Sequence, residues 1–70
     1  MREYYIDMKD PFGVDELVEY LRQNKIKYKT FGLDGGGKHF DIYCDEKMAY
    51  TIDIALDRIF DHIADRNENN

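Results

Sequence analysis

The sequence predicts an α+β domain with the element order βαββα: a three-stranded sheet carrying two helices on one face. Three observations lead there. Apolar residues recur at helical period in two stretches, one starting at Pro11 and one spanning Asp45 to Arg66. Apolar and polar residues alternate in three shorter stretches, near positions 2–8, 26–33 and 39–44. Seventy residues are enough for one domain with a thin core.

Arg2 to Met8 sets Tyr4, Ile6 and Met8 against Glu3, Tyr5 and Asp7, the pattern of a half-buried strand. Asp10-Pro11 then opens a helix, because aspartate is a favoured N-cap and proline a favoured first helical residue. Val14, Leu17, Val18 and Leu21 form its buried face, and Asp15, Glu16 and Glu19 its polar one. Asn24 tolerates the left-handed cap conformation and should end it. Ile26 to Leu33 is the second strand, with Lys25, Lys27 and Lys29 giving one face a basic character. Gly32 interrupts the alternation and predicts a bulge.

Asp34-Gly35-Gly36-Gly37-Lys38 reads as a hairpin loop, since glycines supply positive φ. It is not a phosphate loop, because Lys38 leads into a strand instead of Ser/Thr and a helix. His39 to Cys44 is the third strand, with Phe40, Ile42 and Cys44 on one face and His39, Asp41 and Tyr43 on the other. The long helix over Asp45–Arg66 buries Ile52, Leu56, Ile59, Phe60 and Ile63. The domain therefore covers residues 1–66, and 67–70 form a polar tail expected to be disordered. A right-handed crossover places the first and second strands parallel, and the third fits between them, antiparallel to both. The result is a ferredoxin-like sheet short of one strand, with an open edge.

Composition narrows the function classes. Fifteen acids against ten bases give a net charge of −5, which opposes direct nucleic-acid binding and suits a basic protein partner. No apolar run reaches the ~18 residues of a membrane span and no secretory signal pattern opens the chain, so a cytoplasmic location is expected. The single cysteine, Cys44, excludes an internal disulfide and alternates into the core. There is no serine, and the only threonines are Thr30 and Thr51. His39 and His62 stand in no metal-ligand spacing with Cys44. No enzyme, cofactor or metal site is read from these residues.

The most distinctive pattern is on the last helix. Asp53, Asp57, Asp61 and Asp65 are spaced four apart, with Tyr50 and Ile54 near their upper end. Four residues rise about 6 Å and rotate the row by about 40°, giving a slanting ladder of carboxylates. Aspartate is a weak helix former. Like charges at i, i+4 repel by ~0.2–0.5 kcal/mol per pair, and acids near a helix C-terminus oppose the macrodipole. The plain alternative is a solvated helix face. Asp15, Glu16 and Glu19 on the first helix are expected to flank the ladder. Tyr5, Phe31 and Tyr43, with His39, Lys27 and Lys29, are expected to share the sheet face without helices. That face reads as a homodimer interface, or as a stacking platform for single-stranded RNA.

The Asp53-x-x-x-Asp57-x-x-x-Asp61-x-x-x-Asp65 ladder, the acidic first helix and the small acidic chain resemble the DNA-mimic proteins with which bacteriophages take over their hosts, in particular inhibitors of the nucleoid protein HU. The resemblance implies an inhibitor whose carboxylates replace DNA phosphates on a basic DNA-binding protein of the HU kind, acting in a bacterial cytoplasm. A small adaptor or regulatory interaction domain is the competing class.

Overall fold

The computed structural model describes residues 1–68. It contains β1 (Arg2–Met8), α1 (Pro11–Gln23), β2 (Lys27–Gly32), β3 (Lys38–Cys44) and α2 (Glu46–Glu68). The strand order is β1-β3-β2, and β3 pairs antiparallel with both neighbours. This is the expected sheet, that of a ferredoxin-like fold without its fourth strand. No helix is long and apolar enough to cross a membrane among the described residues.

Alternation along β3 divides the molecule. Phe40 and Ile42 are fully buried, and Cys44 nearly so. They pack beneath Leu17 and Leu21 of α1 and Ile52 and Ile59 of α2, with Met8 closing one end. Both helices lie over this face, and among the described residues the other face of the sheet carries none.

Local chemistry fixes the helix ends. The Gly13 N–H donates to Asp10 Oδ2 at 2.8 Å, and Pro11 follows the cap as expected. Arg66 Nη2 donates to the same Asp10 oxygen at 2.5 Å, so one carboxylate starts α1 and holds the last turns of α2. Asp45 caps α2, accepting from the Met48 N–H at 2.8 Å. At the end of α1, Asn24 has φ −96°, and the left-handed residue is Lys25 at φ 55°. The Ile26 N–H reaches Leu21 O at 2.9 Å and the Lys25 N–H reaches Arg22 O at 3.2 Å. This is a Schellman motif, with Ile26 and Leu21 as its apolar pair. Asn24 instead bonds Tyr20 O through its side chain, at 2.8 Å.

Three expectations are corrected. Gly32 is not a bulge: the β2–β3 register runs unbroken from Lys27↔Tyr43 to Gly32↔Lys38. The glycine turn absorbs the change of direction instead, with the Leu33 N–H donating to Gly37 O at 3.1 Å. Phe60 is 44% exposed, because the buried stripe of α2 is narrower than the sequence implied and Phe60 falls at its margin. Asn67 and Glu68, assigned to the tail, continue α2. The other two residues of that tail lie outside the described residues.

Gly13 and Gly37 are placed by space. A Cβ on Gly13 would lie 2.6 Å from Ile63 Cδ1, so its absence allows α2 to approach α1. A Cβ on Gly37 would lie 2.6 Å from Met8 O and 2.7 Å from Lys9 Cα, and Gly37 also has φ 87°. Two opposite outcomes follow in urea unfolding. Lys25→Gly relieves a left-handed non-glycine residue and should stabilise by about 0.5–1 kcal/mol after the entropy of the freer unfolded chain is counted. Gly37→Ala adds left-handed strain to a backbone clash and should destabilise by about 2–5 kcal/mol.

Candidate functional site

The sequence singled out two surfaces, and the structure places them on opposite sides of the molecule. The first is the outer face of α2. Asp53, Asp57, Asp61 and Asp65 are all exposed, but their surroundings differ. The Tyr4 hydroxyl donates to Asp53 Oδ1 at 2.9 Å and also lies 3.2 Å from Ala49 O, so the first rung is tied to β1. Burial, then the bond to this carboxylate, raise the Tyr4 phenol above its usual range. Asp57, Asp61 and Asp65 have no side-chain hydrogen bond or ion pair among the described residues. Tyr50 and Ile54 stand beside them, 73% and 52% exposed.

The first helix contributes less to this face than its sequence implied. Turning Val14, Leu17 and Leu21 into the core points Glu16 at α2, where it meets His62 Nδ1 at 3.0 Å. The same rotation carries Asp15 and Glu19 to the opposite flank of α1, beside Val14, Val18, Arg22 and Lys38. Asp15 and Glu19 therefore do not flank the ladder, and Glu16 reaches it only as the partner of a histidine.

The second surface is the bare face of the sheet. The registers arrange nine side chains in three rows: Glu3–Tyr43–Lys27, Tyr5–Asp41–Lys29 and Asp7–His39–Phe31, each running from β1 through β3 to β2. Tyr5, Phe31 and Tyr43 do share this face, as expected. It is not basic as a whole. Its β1 column holds Glu3 and Asp7, and its β2 column holds Lys27 and Lys29.

Its centre is a feature the sequence did not disclose. His39 Nδ1 lies 2.5 Å from Asp7 Oδ1, and His39 Nε2 lies 2.7 Å from Asp41 Oδ1. A neutral imidazole has one N–H and could donate only one of these bonds, whereas the imidazolium donates both. The hydrogen bonds from Asp7 and then Asp41 accordingly raise the His39 pKa above the ordinary imidazole value. Phe31 of β2 stacks on the ring at 4.8 Å between centroids and 26° between planes, and Tyr5 of β1 lies at 6.5 Å and 21°. The Tyr5 hydroxyl is bonded to Glu3. Alternation alone places Asp7, His39 and Asp41 on outward positions. Only the register of β1 against β3 brings Asp7 opposite His39.

Both ring nitrogens are thus committed to carboxylates. Among the described residues, no group of three or more His, Cys, Asp or Glu side chains is arranged to hold a metal ion. Comparison of the chain with known protein families, characterised proteins and solved structures finds no match.

The cluster has a pH signature. An unfolded histidine titrates near ~6.5, and the folded value is raised. Its contribution to stability is therefore complete below about pH 6.5 and is lost as pH rises through the folded pKa. NMR titration should show the His39 pKa falling toward ~6.5 in Asp41→Asn, which removes one carboxylate charge. In denaturation across the same range, His39→Gln should lose the part of the pH dependence that wild type owes to this ring.

Proposed function

We propose that the outer face of α2 is a docking surface for a basic protein, and that it acts as a stand-in for nucleic-acid phosphates on a DNA-binding partner of the HU kind. The observation that carries this reading is the run Asp57, Asp61 and Asp65. These are three exposed carboxylates at successive helical turns, free of intramolecular ion pairs among the described residues, on a chain of net charge −5. Three rungs span about 12 Å along the axis. One strand of DNA advances ~3.4 Å of axis per phosphate, and the slant of the strand lengthens the through-space step toward the ladder spacing. Lysines and arginines that neutralise phosphates can meet these carboxylates in their place.

Tyr50 and Ile54 supply what DNA phosphates lack, an apolar anchor beside the charges. Asp53 belongs to the edge of the surface, since its carboxylate already accepts from Tyr4. The role is binding and occlusion, not catalysis. The sheet face lacks the net positive charge of a nucleic-acid platform, because Glu3, Asp7 and Asp41 offset Lys27, Lys29 and His39 among its aromatics.

The test is competition. Labelled DNA bound to a small basic nucleoid protein such as HU is titrated with the chain at two salt concentrations. Wild type should displace the DNA, and more effectively at low salt. A triple variant, Asp57→Asn with Asp61→Asn and Asp65→Asn, keeps the shape, removes i, i+4 repulsion and should fold at least as stably. Its competition should fall at least tenfold and lose most of its salt dependence, since exposed charges are screened within ~8–10 Å. Ile54→Ala should weaken competition severalfold with the salt slope unchanged, because it removes only apolar area. Equal competition by the triple variant would reduce the ladder to an ordinary solvated helix face.

A further inference from the structure

We infer that the bare sheet face closes against the same face of a second copy of this chain, about a two-fold axis parallel to the strands. The inference rests on the arrangement of charge on that face and is independent of what α2 binds. Glu3 and Asp7 make the β1 column acidic, Lys27 and Lys29 make the β2 column basic, and β3 runs between them. With His39 as the doubly bonded imidazolium, Glu3, Asp7 and Asp41 are matched by His39, Lys27 and Lys29. The face as a whole carries no net charge, so two copies can meet there without local charge repulsion on an otherwise acidic chain.

The columns also choose the axis. A two-fold parallel to the strands lays β1 of one copy over β2 of the other, and each row meets its own counterpart. Glu3 then faces Lys27 of the second copy, Tyr5 faces its Lys29, and Asp7 faces its Phe31. A two-fold lying across the strands lays β1 over β1 instead and sets Glu3 against Asp7 of the second copy. Like charges brought together at an interface are costly, so the first arrangement is favoured. Along the axis Tyr43, Asp41 and His39 each approach their own counterparts, and each His39 is already matched within its own copy by Asp7 and Asp41. Each Asp41 is already bonded to His39 and stands beside Lys29 in the strand register.

Cover for the aromatics adds to the charge argument. Tyr5 and Phe31 are 66% and 56% exposed on one small face, and face-to-face sheets interdigitate such side chains at about 10 Å separation. The face is small. Strands of about seven residues at ~3.4 Å each, three abreast at ~4.8 Å, give a footprint of roughly 24 by 14 Å. The total area buried falls below the ~1,200 Å² at which standard specific interfaces begin. The dimer is therefore a weak, concentration-dependent one, unlike an obligate pair.

Sedimentation equilibrium from 10 µM to 1 mM tests this. Wild type should move reversibly toward twice the monomer mass over that range. Glu3→Lys and Lys27→Glu are exposed changes, and circular dichroism should show both folded. Each alone sets like charges together twice across the two-fold, so each should stay monomeric where wild type associates. Mixed in equal amounts, they set opposite charges together at both positions, and the dimer should return. Strictly monomeric wild type at 1 mM overturns the proposal. So does a dimer indifferent to either single variant, which would place the contact at a strand edge. Failure of the mixture to reassociate overturns it too. So does binding of a short oligouridine to this face with the mass remaining that of one chain.

Discussion

The packing of Phe40 and Ile42 under the two helices is the interaction on which the molecule depends. β3 is the central strand, paired on both sides, so its inward side chains lie where strands and helices converge. A domain this small buries a limited fraction of its chain surface. Full burial of an aromatic and a branched aliphatic side chain at the centre therefore supplies a large part of the driving force. The same strand determines what the outside looks like. Because side chains alternate, burying Phe40, Ile42 and Cys44 obliges His39, Asp41 and Tyr43 to line the centre of the uncovered face. Core and exposed cluster are two consequences of one register.

A second set of contacts links elements far apart in the chain through acids. Asp10 joins the start of α1 to Arg66, Glu16 joins the middle of α1 to His62, and Asp53 joins α2 to Tyr4 of β1. The Asp10 carboxyl is held below its ordinary range, first by the Gly13 N–H and further by Arg66. Asp10–Arg66 is the half-buried one of the three, and the exposed Glu16–His62 and Asp53–Tyr4 contacts contribute little individually. Their larger effect here is on the distribution of charge. They use acids at the seams between elements and leave Asp57, Asp61 and Asp65 as a row on the outer face. An acidic composition by itself does not mark a binding surface. The acids left after the structural contacts are assigned are the ones free to meet a partner.

Much of the fold was legible because its signals are local. The Asp10-Pro11 cap, the two helical stripes and the three alternating stretches each reflect residues within a few positions of one another. Fixed element order and the crossover rule then left few ways to arrange three strands. What the sequence did not reveal depended on orientation. Phe60 has the right spacing for the apolar stripe but lies at the edge of the area the sheet can cover. Asp15 and Glu19 are outward on α1, yet which flank they occupy depends on how α1 is rolled about its axis by Val14, Leu17 and Leu21. The three-part cluster of Asp7, His39 and Asp41 requires a register between strands thirty-odd residues apart, which alternation does not specify. Gly32 shows the reverse: a glycine that interrupts the alternation resembles a bulge, while the register there is unbroken and the adjacent turn does the bending.

The two proposed surfaces constrain each other through the layering of the fold. Helices cover one side of the sheet only, so a contact on the sheet face leaves α2 facing solvent. With two sheet faces closed together, the order of layers becomes helix, sheet, sheet, helix. Each helix–sheet and sheet–sheet step is about 10 Å, which sets the two α2 layers roughly 30 Å apart and facing opposite ways. Such a dimer presents its acidic rows back to back. It cannot wrap both around one flat basic surface, but it can engage two partner molecules, or two arms of a partner that encircles it. In the second case the second contact is intramolecular and gains from effective concentration without any new side-chain contact. A weak dimer and a shallow acidic row, each modest alone, would then reinforce one another, because occupancy of both rows by a single partner stabilises the paired sheets and the paired sheets hold the two rows in fixed relation.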